Sequence, residues 1–182
     1  MIYHNIYEKT DLTKIKNVSI ILCIKCDDNE YRILVGERKD NKWTAPGGRV
    51  ELKELNTDKG LFDAICREFE EETGYDLNGI PMCYPEYFIF DRIHRNKTIT
   101  RIYMNCTMIN NFFYDFNTKT NTYKIKFGNS YKKDEELTDL ACYTLKTIFS
   151  NESKYIEYFI NGLKAIKEYA QDYILMMPKK IQ

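Results

Sequence analysis

The sequence predicts a mixed α/β domain, and three observations carry that prediction. Apolar, β-branched runs of strand length lie in the first and last thirds of the chain. Between them, near residues 61–73, Leu61, Ile65 and Phe69 repeat at i, i+4 and i+8, the core stripe of a helix. A longer run near 152–175 carries Ile156, Phe159, Ile160, Leu163, Ile166, Tyr169 and Tyr173 at helical spacing. With 182 residues, a single domain over 1–182 with one core is the expectation.

The elements follow in order. Residues 18–26 are apolar and β-branched, a buried strand. Asp27-Asp28-Asn29 turns the chain, and 31–36 returns as a second strand. Residues 37–42 are polar loop, and Trp43-Thr44-Ala45-Pro46 leads into the Gly47-Gly48 turn. After the 61–73 helix, strands are expected at 86–91 and 98–108, with His94-Arg95-Asn96-Lys97 as a basic turn between them. Residues 110–133 are long, aromatic and basic, and only 123–127 alternates like a strand. Residues 137–145 end the sheet, and 146–149 form a short helix. Lastly, Pro178 and the lysines after it end the terminal helix.

Composition narrows the partners. The 27 basic and 27 acidic residues cancel, so no global field draws the chain to DNA or to a membrane surface. No stretch approaches 18 apolar residues, and the start Met1-Ile2-Tyr3-His4-Asn5 has no signal-peptide pattern, so a cytoplasmic protein is expected. Cys23 and Cys26 sit three apart in a strand and face opposite sides; with no second close pair to complete a zinc site, the six cysteines read as reduced thiols.

Chemistry concentrates in Arg67-Glu68-Phe69-Glu70-Glu71-Glu72-Thr73-Gly74-Tyr75. On a helix, Glu68, Glu71 and Glu72 project from one face within a turn. At an effective dielectric near 20, two like charges about 5 Å apart repel by roughly 3 kcal/mol. A cation relieves that repulsion, and an all-oxygen ligand set favours Mg²⁺, with Mn²⁺ as the alternative. The competing reading is a solvated acidic helix face. Gly74 follows where a left-handed residue would close the helix.

Together with Gly48-x5-Glu54, this stretch resembles the Nudix hydrolase signature, G-x5-E-x7-R-E-U-x-E-E-x-G-U, in which U is bulky and apolar. Arg67, Glu68, Phe69, Glu71, Glu72, Gly74 and Tyr75 match its right-hand end, and the whole motif spans about 47–75. The departure is the spacer: twelve residues separate Glu54 from Arg67 where the family has seven. An unbroken spacer would put Lys59 in the glutamate position. We read a five-residue insertion within 55–60, which leaves the role of Glu54 open.

The resemblance covers roughly 17–149 and implies an α/β/α sandwich with a mixed sheet, followed here by the C-terminal amphipathic helix. It implies a Mg²⁺-dependent hydrolase of a nucleoside diphosphate-linked substrate. It also implies metal ligands at the Gly47 carbonyl, Glu68, Glu71 and Glu72. Arg67 would orient Glu71 from one turn away. The general base would be a motif glutamate or lie on the acidic loop before the last strand, with Glu136 preferred to Glu135. Arg49 and Glu51 fit phosphate-facing positions, and Arg95, Lys97 and Arg101 form a basic substrate-binding group.

Relatives of this family cleave nucleoside triphosphates, ADP-ribose, dinucleoside polyphosphates, diphosphoinositol phosphates or the mRNA cap. Phe112, Phe113, Tyr114 and Phe116 lie among Lys119, Lys124, Lys126, Lys132 and Lys133. That mixture could stack bases and track phosphates, and it resembles the cap-hydrolysing members of large DNA viruses. The alternative is an insertion whose aromatics pack on the sheet. Capped RNA is therefore the second substrate class. A family-derived binding module without catalysis is the competing function. A structural protein that docks through its last helix is a third, and the chain is expected as monomer or homodimer.

Overall fold

A computed structural model of the chain describes residues 10–55, 57–83, 87–94, 98–132 and 136–164. Its centre is a nine-stranded sheet. The strands are β1 (Ile15–Lys25), β2 (Tyr31–Arg38), β3 (Trp43–Thr44), β4 (Gly47–Arg49), β5 (Phe88–Ile93), β6 (Ile99–Met108), β7 (Tyr114–Asn117), β8 (Thr122–Ile125) and β9 (Leu137–Tyr143). The main path runs β5-β6-β1-β2-β9-β8-β7, with β3 beside β2 and β4 beside β1. Pairing is antiparallel except between β1 and β6, where Val18 faces Arg101 and Ile20 faces Tyr103 in parallel register. The sheet is mixed, as the sequence predicts.

Strand alternation sends β1 side chains to two cores. Val18, Ile20, Leu22 and Ile24 meet Leu61, Ile65 and Phe69 of helix α1 (Asp58–Thr73) on one face. Ile21 and Cys23 meet Ile148 of α2 (Leu145–Phe149) and Phe159, Ile160 and Leu163 of α3 (157–164) on the other. Helices thus cover both faces, giving the α/β/α sandwich. Cys23 and Cys26 fall into opposite cores, as their spacing requires.

Three boundaries differ from expectation. Helix α1 begins a turn early, at Asp58, because the Thr57 hydroxyl caps the Gly60 amide at 2.9 Å. Residues 110–133 contain the hairpin β7–β8 rather than one strand at 123–127. Its first strand is only four residues long, and although Tyr114-Asp115-Phe116-Asn117 alternates, the run is too short to stand out and is half-buried or exposed. The terminal helix starts at 157, after a 3-10 turn over Glu152–Lys154, because Tyr155 bridges to Trp43 and the Ile156 amide donates to the Trp43 carbonyl at 3.0 Å. Residues 165–175 of that helix lie outside the described residues.

Candidate active site

Helix α1 ends on Gly74, which adopts φ +77 and donates its amide to the Glu70 carbonyl. The Gly128–Tyr131 segment lies directly on this cap. The Gly128 amide donates to the Thr73 carbonyl at 2.8 Å, and a Cβ on Gly128 would lie 2.1 Å from the Gly74 oxygen. The chain end that leads towards Glu136 is therefore tied to the end of the helix that carries the carboxylates.

On the facing side, β4 sets Gly47 against Ser19 and Gly48 against Val18 of β1. Gly47 has φ +148, and a Cβ there would sit 2.3 Å from the Val18 carbonyl oxygen. A Cβ on Gly48 would sit 2.1 Å from Glu68 Oε2. These two glycines let the backbone press against the α1 carboxylates.

Glu72 is buried at 6% exposure, and Gly47 donates its amide to Glu72 Oε2 at 2.8 Å. Burial pushes its carboxyl up to about 8 against the pull of that amide, and the charges of Glu68 and Glu136 push the same way. Burial also raises Glu68, opposed by Arg67. A solvated acidic face would do neither, so the face reading fails for Glu68 and Glu72. Glu71 is the exposed member of the three.

Arg67 organises the cluster. Its Nε and Nη2 donate to Glu54 Oε1 and Oε2 at 2.9 and 3.1 Å. Its Nη1 donates to Glu68 Oε1 at 2.8 Å and Glu71 Oε2 at 3.0 Å, and Nη2 also reaches the Arg49 carbonyl at 2.9 Å. The expected Arg67–Glu71 pairing is thus present, and Glu54 gains a definite partner despite the insertion. Glu54 also accepts from the Glu51 amide at 2.8 Å, while the Glu51 carboxylate pairs with Lys53.

The donor set fits a hard divalent ion. Glu68 Oε2, Glu71 Oε1 and Glu72 Oε1 have no hydrogen-bond donor among the described residues, and two of these carboxylates are poorly solvated. Among the described residues, however, no three His, Cys, Asp or Glu side chains already stand where they could hold one ion.

The other expected site residues separate into groups. Glu136 is exposed, lies 3.5 Å from Arg38, and is close enough for its charge to act on Glu72. Glu135, Arg95 and Lys97 lie outside the described residues. Arg49 exposes its side chain and lends its carbonyl to Arg67. Arg101 is a correction. It is 3% exposed, its Nε and Nη2 donate to Asp91 at 2.8 Å, and its Nη1 donates to Asp58. The guanidinium is spent inside the fold, because parallel register with β1 carries this part of β6 beneath the surface.

Sequence reading missed a cleft of about 170 Å³ beside the two glycines, lined by Asn17, Ser19, Gly47, Gly48, His94, Thr100 and Tyr158. Its residues come from four separate elements, so no local motif announces it.

Residues 16–156 match the NUDIX domain family. No protein of curated function matches the chain in sequence. Among solved structures, the fold is similar to an Ap4A hydrolase of C. elegans in a binary complex (TM-score 0.54, 10% identity, 87% of this chain and 100% of that one). It is similar to the Nudix hydrolase RenU of M. smegmatis (TM-score 0.55, 10% identity, 88% of each chain). A third similar structure is the Bacillus subtilis pyrophosphohydrolase BsRppH (TM-score 0.51, 19% identity, 90% and 87%). The chain belongs to the Nudix family and is a hydrolase of phosphoric-anhydride bonds.

Proposed function

We propose that the protein is a Mg²⁺-dependent pyrophosphohydrolase that cleaves the diphosphate of a nucleoside diphosphate-linked substrate. The observation that carries this reading is the Glu68, Glu71 and Glu72 cluster, with Glu68 and Glu71 held by Arg67, Glu72 held by the Gly47 amide, and one oxygen of each carboxylate without a donor among the described residues. Mg²⁺ or Mn²⁺, held by those oxygens and the Gly47 carbonyl, would neutralise the diphosphate and lower the pKa of a bound water.

The chain's own residues supply the rest. Arg67 fixes the Glu68 and Glu71 rotamers, so little reorganisation is needed when substrate arrives. Glu72 is kept in place by the Gly47 amide. Glu136, facing the same region, is our candidate to accept the proton of the attacking water. Arg38 lies 3.5 Å from Glu136 and helps to orient its side chain.

We rank a small nucleotide above capped RNA because much of the hairpin β7–β8 is engaged within the fold. Lys124 pairs with Asp139 and Lys126 with Asp115, while Tyr114 and Phe116 pack on Tyr123. Only Phe113 and Phe116 among its aromatics are prominently exposed.

The test is phosphate release with Mg²⁺ from nucleoside triphosphates, ADP-ribose, a dinucleoside polyphosphate, a diphosphoinositol phosphate and capped RNA, with Glu71→Gln as control. Glu71 is exposed, so the variant should fold normally while kcat falls at least about a hundredfold. Full activity in folded Glu71→Gln would overturn the metal-site assignment. Turnover confined to capped RNA would replace the small-nucleotide reading.

A further inference from the structure

Glu136 owes its place to the strand that follows it and to the strap that precedes it. Along β9 the register with β2 shifts once: Glu37 pairs with Asp139 and Arg38 with Leu137, which leaves Thr138 as the extra residue of a β-bulge. The Thr138 hydroxyl donates to the Glu37 carbonyl at 3.2 Å. Unbroken alternation would set Leu137 on the face opposite Leu140. The bulge reverses this, and both leucines lie fully buried in the core on the α1 face. The Leu137 side chain fills the space over Gly36, where a Cβ would meet its Cδ1 at 2.3 Å. Directly before this anchored residue, Glu136 meets Arg38 at 3.5 Å.

The strap at 126–131 holds the other side. Gly128 lies on the Gly74 cap, and the Ser130 amide also donates to the Gly74 carbonyl, at 3.4 Å. No Cβ fits on Gly74 either, since one would lie 2.5 Å from the Gly128 oxygen. At the start of the strap, Lys126 lends its carbonyl to the Tyr75 hydroxyl at 2.8 Å. Tyr131 closes the turn. Its amide donates to the Gly128 carbonyl at 3.2 Å, and its ring stacks on Phe127 with centroids 3.8 Å apart and planes 17° from parallel. From that stack its hydroxyl reaches β9 and donates to the Leu137 carbonyl at 2.5 Å. One side-chain hydrogen bond thus joins the cap of the carboxylate helix to the residue next to Glu136.

We propose that Tyr131 is a positioning residue for the reaction: through the Leu137 carbonyl it sets where Glu136 stands relative to Glu68, Glu71 and Glu72. The inference rests on the reading of Glu136 as proton acceptor and deepens it. A general base works only within hydrogen-bond reach of the attacking water, and the α1 carboxylates define where that water stands. Helix α1 and strand β9 are separate elements, so their spacing at the site needs a cross-tie, and the Tyr131 hydroxyl supplies one. The charge of Glu136 acts on the Glu72 carboxyl, which puts the two within electrostatic range. A misplacement of about 1 Å in such a site can cost roughly a hundredfold in rate.

The experiment pairs hydrogen exchange with a double-mutant cycle on the full chain. Tyr131→Phe keeps the ring on Phe127 and loses the bond to Leu137, so it should melt within a few degrees of wild type. Amide exchange across 136–140 should quicken about three- to tenfold, while exchange in α1 stays unchanged. With Mg²⁺ and a diphosphate that the wild-type protein turns over, kcat should fall roughly ten- to a hundredfold at near-wild-type KM. Glu136→Gln should lose at least as much, and adding Tyr131→Phe to it should cost less than about twofold further. A merely structural hydroxyl would cost the same in both backgrounds. Such additivity would overturn the proposal, as would wild-type kcat in Tyr131→Phe or unchanged exchange across 136–140. Faster exchange in a protein whose wild type turns over no substrate would uphold the tie and sink the hydrolase reading. Full turnover in Glu136→Gln would overturn the proposal through its premise, with Mg²⁺-dependent hydrolysis left standing.

Discussion

Arg67 clasps Glu54 at two points, Nε to Oε1 and Nη2 to Oε2, across the enlarged spacer of the motif. Residues that are sequence neighbours in neither the helix nor the turn are thereby fixed to each other, and the extra residues are absorbed between them. The clasp also holds the Glu54 carboxyl below the usual range, chiefly through the Arg67 hydrogen bonds.

That depressed value sets a pH signature. A carboxylate with a lowered folded pKa stabilises the fold above its unfolded value near 4.5, and loses this contribution as pH falls through the folded value. Glu54→Gln should therefore cost about 1.5–3 kcal/mol at neutral pH and progressively less in acid. Urea unfolding of both proteins from pH 3 to 7 checks it. A difference that does not shrink in acid would mean the clasp contributes through packing alone.

Gly47 and Gly48 should respond differently to alanine. At Gly47 the new Cβ meets backbone and φ is +148, so Gly47→Ala should destabilise by about 1–3 kcal/mol. At Gly48 the obstacle is the far end of Glu68, which can swing away. Gly48→Ala should melt near wild type yet lose most of its turnover. Equal stability losses in both would show that Glu68 cannot yield.

Glu72 should release a proton when metal binds. Its carboxyl lies near 8 in the metal-free fold, raised above 4.5 mainly by burial. A carboxyl raised in this way favours the fold fully below pH 4.5, and that contribution is lost as pH rises towards 8. A bound cation needs the ionised form. Mg²⁺ titrations near pH 7, in buffers of different ionisation enthalpy, should report close to one proton released, and Glu72→Gln should abolish the release.

Arg101 should behave as a structural residue. Arg101→Met leaves Asp91, which is itself buried, without its cation, and should cost about 3–5 kcal/mol in urea unfolding. KM in the remaining folded protein should stay near wild type. A large KM rise without loss of stability would restore Arg101 to substrate binding.

What the sequence revealed divides by the range of the interaction. Helix α1, its Gly74 cap and the three carboxylates are local, and a repeat of four residues reveals them. The fate of Glu54 was open, because its partner lies beyond a spacer whose shape depends on the Thr57 cap. Arg101 was misplaced because a cation near a basic turn looks solvated until register buries it. Strand β7 is harder to read because its alternation, Tyr114-Asp115-Phe116-Asn117, lasts only four residues and none of them is buried. The Asn17 cleft had no signal, since β1, β4, β6 and α3 meet there only in three dimensions.

The parallel pairing of β1 with β6 carries a consequence in time. Ile20 lies beside Tyr103, a partner nearly half the chain away, so closing that loop is entropically slow compared with forming α1. The contacts within helix α1 are local, whereas the cleft wall of Asn17 and Thr100 exists only after β1 and β6 have joined. During refolding, helical signal should return first and the paired β1–β6 register last, and during synthesis the cleft cannot be completed until β6 has been made.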